Sequence, residues 1–450
     1  MNRALAFLLL AATAAAWGKT LLVGPDGPYR SPGEAIADSA AGDTIHVLGG
    51  TYQGNITLDR SLVLEGDGKA VLHGDGSGSV ITVTADGCVI RGLTIEHSGG
   101  MLADEDSGIL VKSSGNRIER NELRDILFGI YLLQSDHNTV SGNVIQGRAR
   151  LGLGERGSGI HIWNSRYNTI AGNTIRQVRD GIYFERAYWS DIRGNRLFDL
   201  RYGLHYMYSD DNHFEDNLSY DNLSGAAIMY SRRITFRRNV FVHNRGFSSF
   251  GILFQDSVDC VAEENVIADN GVGIFMESLR SSLLRHNLVA LNDVAIQAFS
   301  SASGNLFQRN NFVENLSPIR IIGRKTGTRW SDQGIGNYWS NYDGYDLDGN
   351  GVGDVPFKIQ NVFEHLEGNH PRLRLYLFSP ASQALAFAEE TFPVIEGSEE
   401  FDFSPLMKPV PLSVRLPEEE KKRGSSLLWL SVPVAMLASS IALMAKGRRR

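Results

Sequence analysis

The chain has 450 residues, 48 of them glycine, and a formal net charge of −7 spread along its length. That balance, with a pI of about 5.9, excludes the basic face of a nucleic-acid binder. His, Met and Cys number 11, 8 and 2, so metal chemistry must rest on placement, not on enrichment.

Residues 1–18 carry one Arg, an apolar run and small residues at the end, the pattern of a secretory signal peptide cut after Ala14 or Ala16. An N-terminal anchor is the alternative, and the run is short for a span. The mature chain is expected outside the cytoplasm. Residues 31–38 read as a short helix with a Ser31 cap and Pro32 at its start. Such a helix would plug the open end of a solenoid, which otherwise exposes unpaired edges. Short alternating strands follow at Thr44–Val47, Ile56–Leu58 and Val80–Val83.

From Gly108 the strands become regular. Copies of one pattern open at Gly129, Gly159, Gly181, Gly203, Gly225, Gly251 and Gly273 and close on Asn143, Asn173, Asn195, Asn217, Asn239, Asn265 and Asn287. The spacings between openings are 30, 22, 22, 22, 26 and 22 residues. A fixed period with one alternating strand per copy marks a solenoid of β-strands. About 22 residues close one coil of a right-handed parallel β-helix, so the fold class is all-β. The second position (Ile130 through Ile274) and the fourth (Leu132 through Met276) are apolar and expected to face inward. The closing Asn row predicts an internal amide ladder, each side chain bonding its copy one coil away.

Cys88 and Cys260 occupy similar ladder positions seven or eight coils apart. At about 4.8 Å per coil they are too distant for a disulfide. Between Asn143 and Gly159, the run Gly152-Leu153-Gly154-Glu155-Arg156-Gly157 matches a dinucleotide fingerprint by letter but lacks its strand–helix context. It reads as a surface loop.

Beyond Asn311 the composition changes. Asp346, Asp348, Asn350 and Asp354 fall at positions 1, 3, 5 and 9 of a calcium-type loop, with Gly351 at 6. Phe357 stands where the bidentate Glu belongs and no EF-hand helices flank the loop, so an Asp/Gly turn is the alternative. Residues 379–390 suggest a second short helix that would close the far end. Residues 425–445 are apolar and long enough to span a bilayer, and Lys446 and Arg448–Arg450 agree with a cytoplasmic end. A processed sorting tail is the alternative. The chain thus divides into a signal peptide (1–18), the β-helix (19–320), an extension with the Asp/Gly loop (321–410), a charged linker (411–424) and a transmembrane helix (425–445).

There is no nucleophile elbow, HExxH or CxxC. The sharp enzymatic alternative is a carbohydrate-active β-helix, a lyase or an epimerase, for which paired carboxylates would be needed. Asp210 and Asp211 are adjacent and point to opposite faces, so they read as a turn pair. The Asp-Pro-His-Asp motif of mannuronan epimerases and the Gly-His-Gly and Arg-Ile-Lys motifs of polygalacturonases are missing.

The outward positions of the first strand are more unusual. Position three reads Tyr131, His161, Tyr183, His205, Ala227, Leu253, Phe275, and position five Leu133, Trp163, Glu185, Met207, Met229, Gln255, Glu277. Aromatic and apolar residues outside a solenoid mark a docking face, and imidazole with thioether suits Cu(I). His205 and Met207 leave one face about 7 Å apart, with Met229 one coil on at about 4.8 Å. These three form the expected copper site. His161 is two coils away from His205, and Met276 faces inward.

The coils, the stretch Gly336-Asn337-Tyr338-Trp339-Ser340-Asn341-Tyr342, the run 346–354 and Arg374-Leu375-Tyr376-Leu377-Phe378-Ser379-Pro380 resemble the NosD family. The resemblance covers most of residues 19–410. It implies a non-enzymatic periplasmic protein that works with an ABC transporter, a cytoplasmic ATPase and a membrane permease, in delivering copper during maturation of nitrous oxide reductase. A copper chaperone lipoprotein is a further implied partner. The C-terminal helix adds an expected anchor to the inner membrane.

Overall fold

The computed structural model describes residues 18–323, 325–360, 373, 376, 379–391 and 400–412. The expected signal peptide up to residue 17, most of the charged linker and the apolar segment 425–445 lie outside the described residues. Short parallel strands stack into three sheets of 12, 14 and 13 strands, each made of every third strand in the chain. A coil at the centre runs Tyr202–Met207 in the first sheet, His213–Glu215 in the second and Leu218–Tyr220 in the third. Ser224–Met229 then opens the next coil. This is a parallel β-solenoid, as the repeat predicts.

Register follows the sequence pattern. Leu204 pairs with Ala226 and Tyr206 with Ile228, so both apolar rows stack in line. The second-position row from Ile130 to Ile274 and the fourth-position row from Leu132 to Met276 are buried throughout. The rings of Phe184, Tyr206, Phe214 and Phe236 pack on one another inside the coil.

The amide ladder runs along the corner between the second and third sheets. Oδ1 of Asn217 accepts both the backbone N–H and the Nδ2 of Asn195, at 3.0 and 2.9 Å. Its own N–H and Nδ2 donate to Asn239. The ladder starts at Asn121 and reaches Asn337, beyond the copies legible in sequence. A second ladder, Asn222–Asn244–Asn270–Asn292–Asn315, holds the corner after the third sheet. The residue before the first ladder's Asn has positive φ in coil after coil, which explains Gly142, Gly172 and Gly194 there.

Helix α1 (Pro32–Ala37) packs Pro32, Ala35 and Ile36 against the first coil, capped by Ser31. At the far end the expected second helix, α2 (Pro380–Thr391), is present, and residues 400–412 after it add contacts to the last coil. Glu400 accepts the indole N–H of Trp330 and Asp402 that of Trp339, while Leu406 bridges to Tyr338. The last rung of the third sheet is Tyr338–Trp339, within the extension after residue 320. Cys88 and Cys260 are both free and buried.

Candidate metal-binding face

Met207 stands opposite Met229 in the register of the first sheet, and His205 opposite Ala227. Both thioethers are half-buried, one rung apart on the outer side. The Tyr183 hydroxyl, one coil earlier, lies 3.2 Å from Glu185 and 3.5 Å from the Met207 sulfur.

The histidine row is less open than the alternation implies. His205 is 8% exposed and His161 4%. Two physical causes act. The rings of Tyr131, His161, Tyr183 and His205 stack from coil to coil, with centroids 4.5, 4.8 and 4.7 Å apart. The segment after Gly100, with its 3-10 turn Leu102–Asp104, also lies over this row and brings Glu105 within 3.7 Å of His161. The stack ends at Ala227, opposite His205 in the next coil, and the Tyr202 ring meets His205 edge-on at 5.0 Å.

His205 is held from below. Its Nδ1 is 3.1 Å from Asp180, a fully buried carboxylate at the start of Asp180–Glu185. Arg201 grips the same carboxylate with two bonds, at 2.8 and 2.6 Å. Burial works against the charge on Asp180, but the bonds from His205 and Arg201 outweigh it and hold its pKa at about 2. An ionised Asp180 accepts a hydrogen bond from Nδ1–H, and in a neutral ring this leaves the lone pair on Nε2. That is the outer-shell arrangement that orients a metal-binding histidine. One imidazole nitrogen and two thioethers make a soft donor set, which favours Cu(I) over harder ions. Among the described residues no group of three or more His, Cys, Asp and Glu could hold a metal. A copper site here has to draw on methionine sulfur.

His161 differs in kind. Neither ring nitrogen has a hydrogen-bond partner, and burial pushes its pKa down to about 3. It is a neutral ring inside the stack. Sequence reasoning missed Asp180 and Arg201. The signal available was an acidic residue directly before a repeat-opening Gly, where other copies carry Phe128, Ser158 and Tyr202.

The Asp/Gly loop closes on itself. Asp346 accepts backbone N–H groups of Gly349, Asn350 and Gly351, which hold its carboxyl below the usual range. Asp348 accepts from Asn350, and Asp354 from Leu347. Phe357, at the twelfth position, packs against Trp339. The oxygens are thus already oriented by the loop's own amides, and the twelfth position serves the core. Asp210 and Asp211 bond to Arg232 and Arg233 one coil on, as a turn pair. Among the described residues no helix is long and apolar enough to cross a membrane.

The molecule is a parallel β-solenoid whose first sheet carries a row of thioether and imidazole side chains. Residues 148–344 match the family described as periplasmic copper-binding protein (NosD). A "Probable ABC transporter binding protein NosD" of Pseudomonas aeruginosa is 34% identical over 394 residues, covering 85% of this chain and 90% of that protein. One of the same description from Stutzerimonas stutzeri is 32% identical over 389 residues, covering 83% and 88%. The chain belongs to the NosD family. Among solved structures, the Azotobacter vinelandii mannuronan C-5 epimerase AlgE4 A-module aligns with a TM-score of 0.52 at 16% identity, over 67% of this chain and 94% of that one. At that identity the likeness speaks for the fold alone.

Proposed function

We propose that this chain is a non-enzymatic periplasmic scaffold that takes up Cu(I) at His205, Met207 and Met229 and passes it on during maturation of nitrous oxide reductase. It does so with an ABC transporter, as the names of its relatives suggest, and receives the metal from a copper chaperone lipoprotein. Residues 425–445 hold it at the inner membrane. The observation that carries the metal site is the register of Met207 on Met229 beside a histidine fixed by Asp180.

Copper is cargo in this scheme. Three protein donors leave a position for a partner's ligand, so the ion can pass between proteins without being released to water. The test is competition for Cu(I) between a chelator and the ectodomain, with His205→Ala, Met207→Ala and Met229→Ala beside wild type. Each variant is expected to bind at least about tenfold more weakly. Unchanged affinity in all three would remove this site while leaving the scaffold.

A further inference from the structure

Near the start of the third sheet stand two histidines that the copper face does not use. His73 ends the strand Ala70–His73 and lies opposite Glu96 of Thr94–Glu96 in the register. His97 follows Glu96 at the corner where the chain leaves that sheet. Glu96 in turn lies opposite Arg124, so Asp125 holds the same corner position as His97 one coil on, and both have positive φ. This placement stacks the two imidazoles, with ring centroids 4.7 Å apart and planes 14° from parallel. Their side chains are 33% and 43% exposed.

Each ring is anchored through the same nitrogen. Nδ1 of His73 is 2.9 Å from Glu96 Oε1, and Nδ1 of His97 is 3.2 Å from Asp125 Oδ2. The other oxygen of each carboxylate goes to arginine, Glu96 Oε2 to Arg124 and Asp125 Oδ1 to Arg150 and Arg148. Burial works against both carboxylate charges, but the histidine bonds and the arginines outweigh it and hold both groups below the usual range. An ionised carboxylate can only accept, so each Nδ1–H donates and the lone pair of a neutral ring stands on Nε2. Among the described residues no hydrogen bond reaches Nε2 of either ring. Gly76 keeps the space beside His97 Nε2 open, since a β-carbon there would lie 3.3 Å from it.

The anchoring alone is not unusual in this chain. His46 with Glu65 and His243 with Asp269 repeat it at 3.0 and 2.7 Å. Neither has a second imidazole stacked on it among the described residues. His73 and His97 differ in standing side by side, two neutral nitrogen donors with their tautomers fixed by carboxylates. Such a carboxylate partner is what orients a metal-binding histidine and raises its basicity. Imidazole suits Zn2+ and Cu2+. The carboxylates are already engaged by arginine, so there is no oxygen cage for Mg2+ or Ca2+. With metal–nitrogen bonds of about 2.05 Å, two nitrogens on a tetrahedral ion stand about 3.4 Å apart. The rings have to tilt together by about an ångström, which their exposed position allows.

We propose that His73 and His97 form a second metal site, for a divalent ion of the Zn2+ or Cu2+ class, bound through Nε2 of both rings. Glu96 and Asp125 orient the ligands, and water fills the remaining positions. The first sheet takes five steps from Ile81–Val83, in the coil of His97, to Tyr202–Met207, about 24 Å at 4.8 Å per coil. The two sites cannot share an ion, and this one stands whether or not the copper face binds.

The test is calorimetric titration of the full-length protein with ZnCl2 and CuCl2, with MgCl2 as control. A saturable equivalent of Zn2+ or Cu2+ is expected, bound at least about tenfold more weakly after His73→Gln or His97→Gln. Glu96→Gln, whose amide can donate to Nδ1 and move the ring proton to Nε2, should weaken it about 10- to 100-fold. His243→Gln, Met207→Leu and Met229→Leu should leave that equivalent in place, which separates the site from a lone anchored histidine and from the copper face. Both histidines lie outside the core, and circular dichroism checks that each variant is folded. Electron paramagnetic resonance of the Cu2+ form should show two coupled nitrogens, a readout on wild type that needs no variant. Absence of a saturable equivalent, equal uptake of Mg2+, fewer than two coupled nitrogens, or affinity unchanged in both histidine variants overturns the site.

Discussion

Asn337 is the last rung of the amide ladder, and its backbone N–H and Nδ2 both donate to one carboxylate oxygen of Asp402, at 2.8 and 3.3 Å. The same oxygen accepts the indole N–H of Trp339 at 3.0 Å. A ladder of amides needs an acceptor at its open end, and a carboxylate is the side chain with acceptors alone. Removing it by Asp402→Ala takes the acceptor from the Asn337 backbone N–H and the Trp339 indole, while Asn337 Nδ2 keeps the carbonyls of Phe307 and Trp330, at a cost of about 1–3 kcal/mol. Urea titration followed by the fluorescence of Trp330 and Trp339 measures it. An unchanged midpoint means that the end closes without the clasp.

The same carboxyl makes the clasp pH-dependent. Burial raises the Asp402 pKa, against the bonds from Trp339, Asn337 and Ser404 that lower it. A carboxyl raised in the folded state contributes stability that is fully present below its unfolded value of about 3.9 and is lost as pH rises through the folded one. Wild type should therefore lose stability relative to Asp402→Asn as pH rises above about 4. Parallel profiles for the two proteins would place the titration elsewhere.

Within the ladder, Asn217→Leu removes an acceptor used twice by Asn195 and a donor used by Ile192 and Asn239. The expected destabilisation is about 1–3 kcal/mol. Asn217 and the rows it belongs to were legible in sequence because each coil repeats the same local demand: two inward apolar positions, a turn and a buried amide. Asp402 was not. It lies 65 residues from Asn337 in a segment with no repeat, and its role is set by the end of the stack. The outer face failed for a related reason. Period-two alternation tells inside from outside, but it says nothing of what covers the outside. Here Glu105, from an irregular segment, and the rings themselves bury His161 and most of His205.

The Asp/Gly loop offers a binary outcome. If calcium holds Asp346, Asp348, Asn350 and Asp354, chelator lowers the melting temperature of wild type and Asp348→Ala abolishes that difference. Since Asp346 already accepts three backbone amides, the turn stands without an ion. Equal melting with and without chelator assigns the loop to that turn.

We propose that residues 425–445 attach the chain to the membrane. Full-length protein should stay in the membrane fraction through high-salt and carbonate washes, and a chain ending at Pro417 should be released as soluble protein. Full-length protein recovered soluble and shortened at its C-terminus would instead indicate a processed tail.

Asp180 gives the sharpest test of the copper site, because it touches His205 and none of the sulfur donors. In wild type the ionised carboxylate can only accept, so Nδ1–H donates to it and the lone pair of a neutral ring stands on Nε2. Asn at position 180 has nearly the same shape. Its amide can donate to Nδ1, which moves the ring proton to Nε2 and blocks the metal-binding nitrogen. Asp180→Asn is therefore expected to weaken Cu(I) binding about 10- to 100-fold, the usual effect of losing such an outer-shell partner. The substitution also leaves Arg201 without its carboxylate, so some loss of stability accompanies it. Met207→Leu and Met229→Leu separate the two effects. They keep the packing and should weaken copper binding with melting temperatures near wild type. Circular dichroism and melting are recorded beside the chelator competition for all three. If Asp180→Asn folds and binds Cu(I) as wild type does, His205 is not a ligand and Asp180 serves only to hold Arg201 against the coil.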